Sequence, residues 1–351
     1  MMKTRLVATA VALAAVATQI HATEGINLIG IGPIQQGTAG AGVASAKDST
    51  WLILNPAGLT DVEMGVDASM QVFAPVRTLG PMEDDSMFVI PSISSSFGCC
   101  HGENGYLGLG LYGTSGMGVD YGPGMMTELS IAKMTATYAY EFDDSGLSVG
   151  AGPIFVLSRF KTDLMGMSGD WDTAYGAGAI IGVNQRIDRL TLGASYMTEQ
   201  FMSDFDDYSM MMSESLNLPQ QLTLGAAFNV LDNVELVLDY RWLGWSDLDV
   251  FGDLFGWEDQ HIVKAGATWG VNDALTLRGG ISHGESPIDE NSSPMNAFFP
   301  AIMETHLTCG ASYAWEKWAV HGAYIHALEN EVVTASMYQN SLTLGVTYTF
   351  E

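Results

Sequence analysis

The sequence predicts an all-β protein: a transmembrane antiparallel β-barrel of about fourteen strands, with an N-terminal plug folded inside the lumen. Three observations lead there. Segments alternate apolar and polar with period two over the ~9–11 residues that a tilted strand needs to cross an outer membrane. Tight turns and longer loops alternate between these segments. Charged residues are only 15% of the chain, while hydrophobic residues make up 47% and glycines number 40, which suits a lipid-facing exterior around a small-residue interior.

Residues 1–22 read as a secretory signal peptide. Lys3 and Arg5 form a basic start, Leu6 to Val16 an alanine-rich apolar run, and Ala22 the end of a cleavage site, although Ile20 is larger than usual at its position. The run is too short to span a bilayer as a helix, and no later stretch offers about 18 uninterrupted apolar residues. Removing Lys3 and Arg5 from the 13 basic residues leaves 11 against 40 acidic ones, a net charge of −29. That charge excludes nucleic acid as a partner, since nucleic-acid binding needs a basic surface.

Residues 23–60 supply the plug. The run Gly37 to Asp48, followed by Asn55-Pro56-Ala57-Gly58-Leu59, is small, turn-rich and nearly uncharged. Glycine and alanine allow close backbone approach, and Asn-Pro punctuates a turn. A barrel of this size holds an aqueous pore unless something fills it.

Residues 61–351 form the barrel. Strands are expected to start near Val62, Ser86, Gly105, Met126, Gly146, Trp171, Leu190, Pro219, Val234, Asp259, Ala274, Glu304, Lys317 and Gln339. The alternation is clearest where Val234, Leu236, Leu238, Tyr240 and Trp242 oppose Glu235, Val237, Asp239 and Arg241. Tight turns fall at 143–146, 186–189, 231–233, 271–273 and 315–317. Longer loops fall near 77–85, 114–125, 161–170, 202–218, 246–258, 284–302 and 328–338. This is the short-periplasmic, long-extracellular rhythm of an outer-membrane barrel, and tyrosines and tryptophans near strand ends fit its aromatic girdles. Such barrels usually end in an aromatic residue that the barrel assembly machinery reads; Phe350 is expected to serve here, with the departure that Glu351 follows it.

The run Gly37-x-Ala39-Gly40-Ala41-Gly42-x-Ala44-x-Ala46-x-Asp48, ending in Asn55-Pro56-Ala57-Gly58-Leu59, resembles the N-terminal hatch of the FadL-type outer-membrane transport proteins. That family carries long-chain fatty acids and other hydrophobic compounds across the bacterial outer membrane. The resemblance implies a hatch built on Gly40, Gly42, Asp48, Asn55, Pro56 and Gly58. It also implies a third strand kinked inward, opening a lateral gap through which hydrophobic substrate reaches the outer leaflet. Gly108, Gly110 and Gly113 lie in that strand, and the same glycines would equally serve close packing against the hatch.

By alternation Lys133, Arg241, Lys264 and Arg278 face inward, and Arg159 lies near the end of the fifth strand. Any of them is a candidate contact for a fatty-acid carboxylate, and each is equally a partner for Glu235, Asp239 or Asp48. Methionines at strand tops and in outer loops (Met117, Met125, Met126, Met165, Met167 and Met210 to Met212) make either a hydrophobic capture surface or ordinary rim packing. The outer loops are acidic, from Asp204 to Asp259, without calcium-loop spacing. They form a solvated surface near lipopolysaccharide that repels free carboxylates and leaves neutral hydrophobic compounds open as cargo.

Cys99 and Cys100 are adjacent in a turn, where a vicinal bridge is conceivable, and Cys309 stands alone; no metal site or cofactor follows from them. Seven histidines without a G-x-S-x-G elbow give no enzyme constellation. The expected protein is a monomeric passive transporter of the outer membrane that captures hydrophobic compounds at its rim and releases them sideways. The alternative is a general porin with an aqueous pore.

Overall fold

The computed structural model describes residues 24–99, 104–143, 145–208, 214–288, 293–332 and 335–350. The expected signal peptide, Cys100, His101 and Met210 to Met212 lie outside them. Among the described residues fourteen long strands form the wall: β1 (Gly65–Leu79), β2 (Phe88–Cys99), β3 (Gly105–Asp120), β4 (Met126–Phe142), β5 (Leu147–Thr162), β6 (Asp172–Ile187), β7 (Leu190–Met197), β8 (Gln220–Leu231), β9 (Val234–Gly244), β10 (Gln260–Gly270), β11 (Leu275–Gly284), β12 (Thr305–Trp315), β13 (Trp318–Val332) and β14 (Ala335–Thr349). Each pairs antiparallel with its neighbours in sequence, and β14 closes on β1 from Gly65–Thr349 to Leu79–Ala335. Closure leaves no terminal edge strand with unpaired backbone groups facing hydrocarbon. Two short strands, Met82–Asp84 on β1 and Phe201–Met202 on β6, extend the wall at the long-loop end.

The period-two pattern decides which side of the wall each residue takes. On β9, Leu236, Leu238 and Tyr240 face outward, while Val237, Asp239 and Arg241 are buried inside. Aromatic residues gather at the strand ends. Trp318 lies 4.7 Å from Tyr348, and Phe97 stacks 5.8 Å from Phe350, whose N–H donates to the Met64 carbonyl at 2.8 Å. Most expected strand starts fall within a few residues of the observed ones. Two loops are shorter than expected, because β3 runs on to Asp120 and β14 begins at Ala335 rather than Gln339. These hairpins keep pairing past the apolar belt, where the hydrophobic alternation that marks a strand is no longer imposed.

Residues 24–61 pack inside the lumen as short helix α1 (Gly32–Gly37) and two 3₁₀ turns, Ser49–Ile53 and Pro56–Asp61. The turns are capped locally: the Asp48 carboxylate accepts from the Thr50 N–H at 2.9 Å, and the Asn55 side chain accepts from the Ala57 N–H at 3.1 Å. Gly40 has φ of 74°, and the place of its missing Cβ is taken by the Ile29 carbonyl, so only glycine fits.

The wall then supplies the partners that this loop-rich segment lacks internally. Asp239 accepts from the Gly42 and Val43 N–H groups at 2.8 and 2.9 Å, and Asp67 from Ser49 N–H at 2.9 Å. Asn55 donates to Asn184 at 2.8 Å, and Lys47 pairs with Glu235 at 3.0 Å. Replacing Asp239 by alanine strands two buried amides, at about 1–3 kcal/mol per group. Asp239→Ala is therefore expected to leave the barrel closed but loosen the hatch, read as faster amide exchange at Gly42 and Val43 and a larger ion current in planar bilayers.

Candidate functional site

The longest break in the wall among the described residues lies between β2 and β3. The β2–β3 ladder runs from Cys99–Gly105 to Ser92–Tyr112 and stops there. β2 continues to Phe88 against β1, and β3 continues to Asp120 against β4. A window therefore separates residues 88–91 of β2 from residues 113–120 of β3. Two features of sequence stand at its lower corner. Pro91 has no N–H to give to a ladder, and β3 carries a bulge between Gly113 and Ser115 that re-aims its upper half.

The backbone groups released at the bulge find other partners. Leu28 N–H donates to the Thr114 carbonyl at 2.9 Å, and Gly116 N–H donates to the Ile26 carbonyl at 3.0 Å. The Ser115 hydroxyl adds a bond to the Asn27 side-chain oxygen at 2.7 Å. The leading residues of the hatch thus replace β2 beside β3.

Behind the window lies a cavity of about 350 Å³, lined chiefly by Ile26, Leu28, Phe73, Phe88, Leu129 and Ile325. Met87 and Val89, both outward-facing and more than half exposed, reach its lining at the window. Gln71, His306 and Asn27 also border it, each with a buried side-chain nitrogen that has no hydrogen-bond partner among the described residues. A mostly apolar wall with a few polar points is the usual character of a small-molecule site.

Loops at the long-loop end close the lumen from above. Trp245 lies 4.9 Å from Phe251 and 5.0 Å from Trp257, and Phe255 stacks 4.9 Å from Phe299. The indole nitrogens of Trp245 and Trp257 are satisfied by Gln260 and Asn296 at 2.9 and 2.8 Å. This aromatic cap seats Trp245 directly against Gly25 of the hatch. Of the rim methionines, Met165 is widely exposed, while Met117 packs against the cap's core.

The candidate cations do not converge on the cavity. Arg241 pairs with Glu24 at 2.5 Å and donates to Thr223 at 3.2 Å. Lys264 pairs with the same Glu24 and donates to the Ile29 carbonyl at 2.9 Å. Lys133 is buried on the Gln200 side-chain oxygen at 2.7 Å, and Arg278 reaches Ser312 at 2.5 Å. Arg159 is exposed on the outer face, with its guanidinium 4.5 Å from the Trp171 ring. None of the five lines the cavity.

Glu24 is the acid that sequence reasoning passed over, although it is the sole charged residue between positions 24 and 46. Asp48, inside the hatch, is pushed up to about 8 by burial, with nearby Asp67 adding to the rise against the Thr50 hydrogen bonds. With its folded value above the usual carboxylate range, its contribution to hatch stability declines as pH climbs from about 4 towards 8.

The glycines of β3 divide in use. A side chain at Gly108 would strike Leu52 of the hatch, and one at Gly110 would strike Tyr112, both within the paired half of the strand. Gly113 stands at the window, with Ile90 filling the space a Cβ would need. In the hatch, Gly42 has φ of 133°, Pro56 opens the second 3₁₀ turn, and Gly58 abuts Ala46. Cys99 is in a disulfide, and Cys309 is a free thiol on the outer face.

Residues 160–351, more than half of the chain, match the family model described as outer membrane protein transport protein (OMPP1/FadL/TodX). The chain belongs to that family. Its fold is that of solved FadL/TodX-type barrels at low sequence identity. The toluene transporter TodX of Pseudomonas putida is 18% identical, with a TM-score of 0.75 over 93% of this chain and 100% of that one. The toluene transporter TbuX of Ralstonia pickettii is 17% identical, with a TM-score of 0.72 over 92% and 99%. A FadL homologue of Pseudomonas aeruginosa is 14% identical, with a TM-score of 0.71 over 95% and 100%. No curated protein sequence matches the chain. As a FadL/TodX-type barrel the protein resides in the outer membrane of Gram-negative bacteria, which makes the long-loop end extracellular and the short-turn end periplasmic.

Glu24→Gln leaves Arg241 and Lys264 without their shared counter-charge. Breaking a buried pair from one side costs about 3–5 kcal/mol. The variant is expected to unfold at clearly lower denaturant concentration in micelles, and adding Lys264→Met is expected to recover part of the loss.

Proposed function

We propose that the protein is a passive outer-membrane transporter that takes uncharged hydrophobic compounds from the extracellular side into its lumenal cavity. It releases them sideways through the window beside β3 into the lipid. The observation that carries this reading is the interrupted β2–β3 ladder with an apolar cavity behind it. Exit into hydrocarbon spares an apolar molecule from crossing the polar lower lumen, where the hatch fills the bore. Downhill partition into lipid suffices to drive it, since burying apolar surface is favourable by about 25 cal/mol per Å².

Uncharged cargo is favoured over long-chain fatty acids by the state of the cations. Arg241 and Lys264 are neutralised by Glu24, and no candidate cation borders the cavity. The cation that does line it, Arg77, is already paired with Asp84, so a carboxylate entering there would give up its hydration for neutral donors such as Gln71 and Asn27 alone. The related proteins TodX and TbuX are toluene transporters, which supports cargo of the same uncharged kind. The filled lumen speaks against a general porin.

Pro91→Val tests the exit. Valine restores the missing N–H and favours an extended strand, so β2 and β3 can pair further and narrow the window. Uptake of naphthalene by cells that lack other such channels is expected to fall about tenfold, the effect of about 1.4 kcal/mol, while the barrel still assembles. Unchanged uptake in a variant whose extra β2–β3 pairing is confirmed by amide exchange would contradict lateral exit. Large steady ion currents from the unaltered protein would favour the porin.

A further inference from the structure

We propose that Arg77 and Asp84 form a strut across the top of the window and so set the largest molecule that can leave. The inference rests on the lateral-exit reading and adds to it the residues that determine specificity. Arg77 is the last inward side chain but one of β1, and Asp84 closes the short strand Met82–Asp84 folded back on it. They pair at 2.8 Å with side chains only 3% and 4% exposed.

From this pair bonds reach across the gap. The Arg77 guanidinium donates to the Gly118 carbonyl of β3 and to the Ser86 carbonyl at 3.3 Å, and it lies 5.5 Å from the Phe88 ring. Asp84 accepts from the Asp120 N–H of β3 at 2.8 Å and from the Ser86 N–H at 2.9 Å. Arg77 also lines the cavity, together with Gly118 and Phe88.

The released edge of β3 is thereby held at two heights by different means. Near the bulge, hatch residues Ile26 and Leu28 bond Gly116 and Thr114. At the top, Arg77 and Asp84 bond Gly118 and Asp120. The window lies between this supported edge of β3 and residues 88–91 of β2. Guanidinium and carboxylate are the side chains suited to this task, because each presents several hydrogen-bonding atoms in a fixed plane and can serve two strands at once. A carboxamide at position 84 would take away the charge that orients Arg77, and aliphatic residues in both places would leave the upper β3 tied to β4 alone, so the gap would widen towards the loops.

The test compares uptake of naphthalene and pyrene by cells carrying the intact protein, Asp84→Asn, or the double variant Arg77→Met with Asp84→Leu. The double variant removes both charges together, so it avoids an unpaired buried ion and keeps the comparison open if Asp84→Asn assembles poorly. The ratio of pyrene to naphthalene uptake is expected to rise about fivefold in the variants, whatever the change in naphthalene uptake itself. A purely structural role would lower both rates in parallel with the amount of assembled barrel. Such a parallel loss, or an unchanged ratio in assembled variants, would overturn the proposal. Adding Pro91→Val separates the two readings. If it blocks uptake in the unaltered protein while the strut variants keep the original ratio, the strut fails and lateral exit stands. If it blocks nothing, lateral exit itself fails.

Discussion

Hydrocarbon offers no hydrogen bonds, so every backbone N–H and C=O at membrane depth must find a partner within the protein. A closed ladder satisfies most of these groups, the longest exception runs along the upper half of β3, and much of the structure follows from how that exception is handled. Pro91 and the bulge at Gly113–Ser115 stop the ladder. Ile26 and Leu28 then take up the groups that β2 no longer reaches. A gap in the wall and a plug in the bore are therefore one arrangement: the strand that departs from its neighbour leans inward onto the segment filling the lumen.

The lumen's electrostatics serve the same arrangement. A segment that must hold β3 needs its own fixed position, and buried charges add to what its apolar contacts, among them Ile34, Trp51 and Leu54, supply. Glu24 between Arg241 and Lys264 fixes the start of the hatch, Asp239 grips Gly42 and Val43, and Asp67 grips Ser49. Cations that look like ligand contacts when read along a strand are thus engaged in holding the hatch or in wall contacts. What remains for cargo is an apolar cavity with isolated polar points, and a hydrocarbon can occupy it without breaking an ion pair.

Much of this was legible in the sequence because its causes are local. Alternation along a strand such as Val234 to Trp242 is written residue by residue, and tight turns mark where each strand reverses. The hatch was legible because segments that pack inside a bore are forced towards Gly, Ala and Asn-Pro. Pairings were not legible. Glu24 and Arg241 are 217 positions apart, and nothing near either names the other. Gly108 and Gly110 read either as a kink or as close packing, and they make room for Leu52 and Tyr112, since a glycine records that space is needed and not what occupies it. Pro91 carried the clearer sign of a broken ladder, inside a segment whose periodicity still reads as strand. The aromatic cap escaped notice because Trp245, Phe251 and Trp257 come from an irregular loop without periodicity.

The dependence of the wall on the hatch is tested most directly by amide exchange of the protein in micelles, read at Leu28 and Gly116. Both donate across the hatch–β3 boundary, and neither is held by a strand-to-strand ladder bond to β2. The expected result is protection at these two amides comparable with that of the paired lower half of β3. Free exchange at Leu28 and Gly116, beside slow exchange at Leu109 and Leu111, would contradict the account.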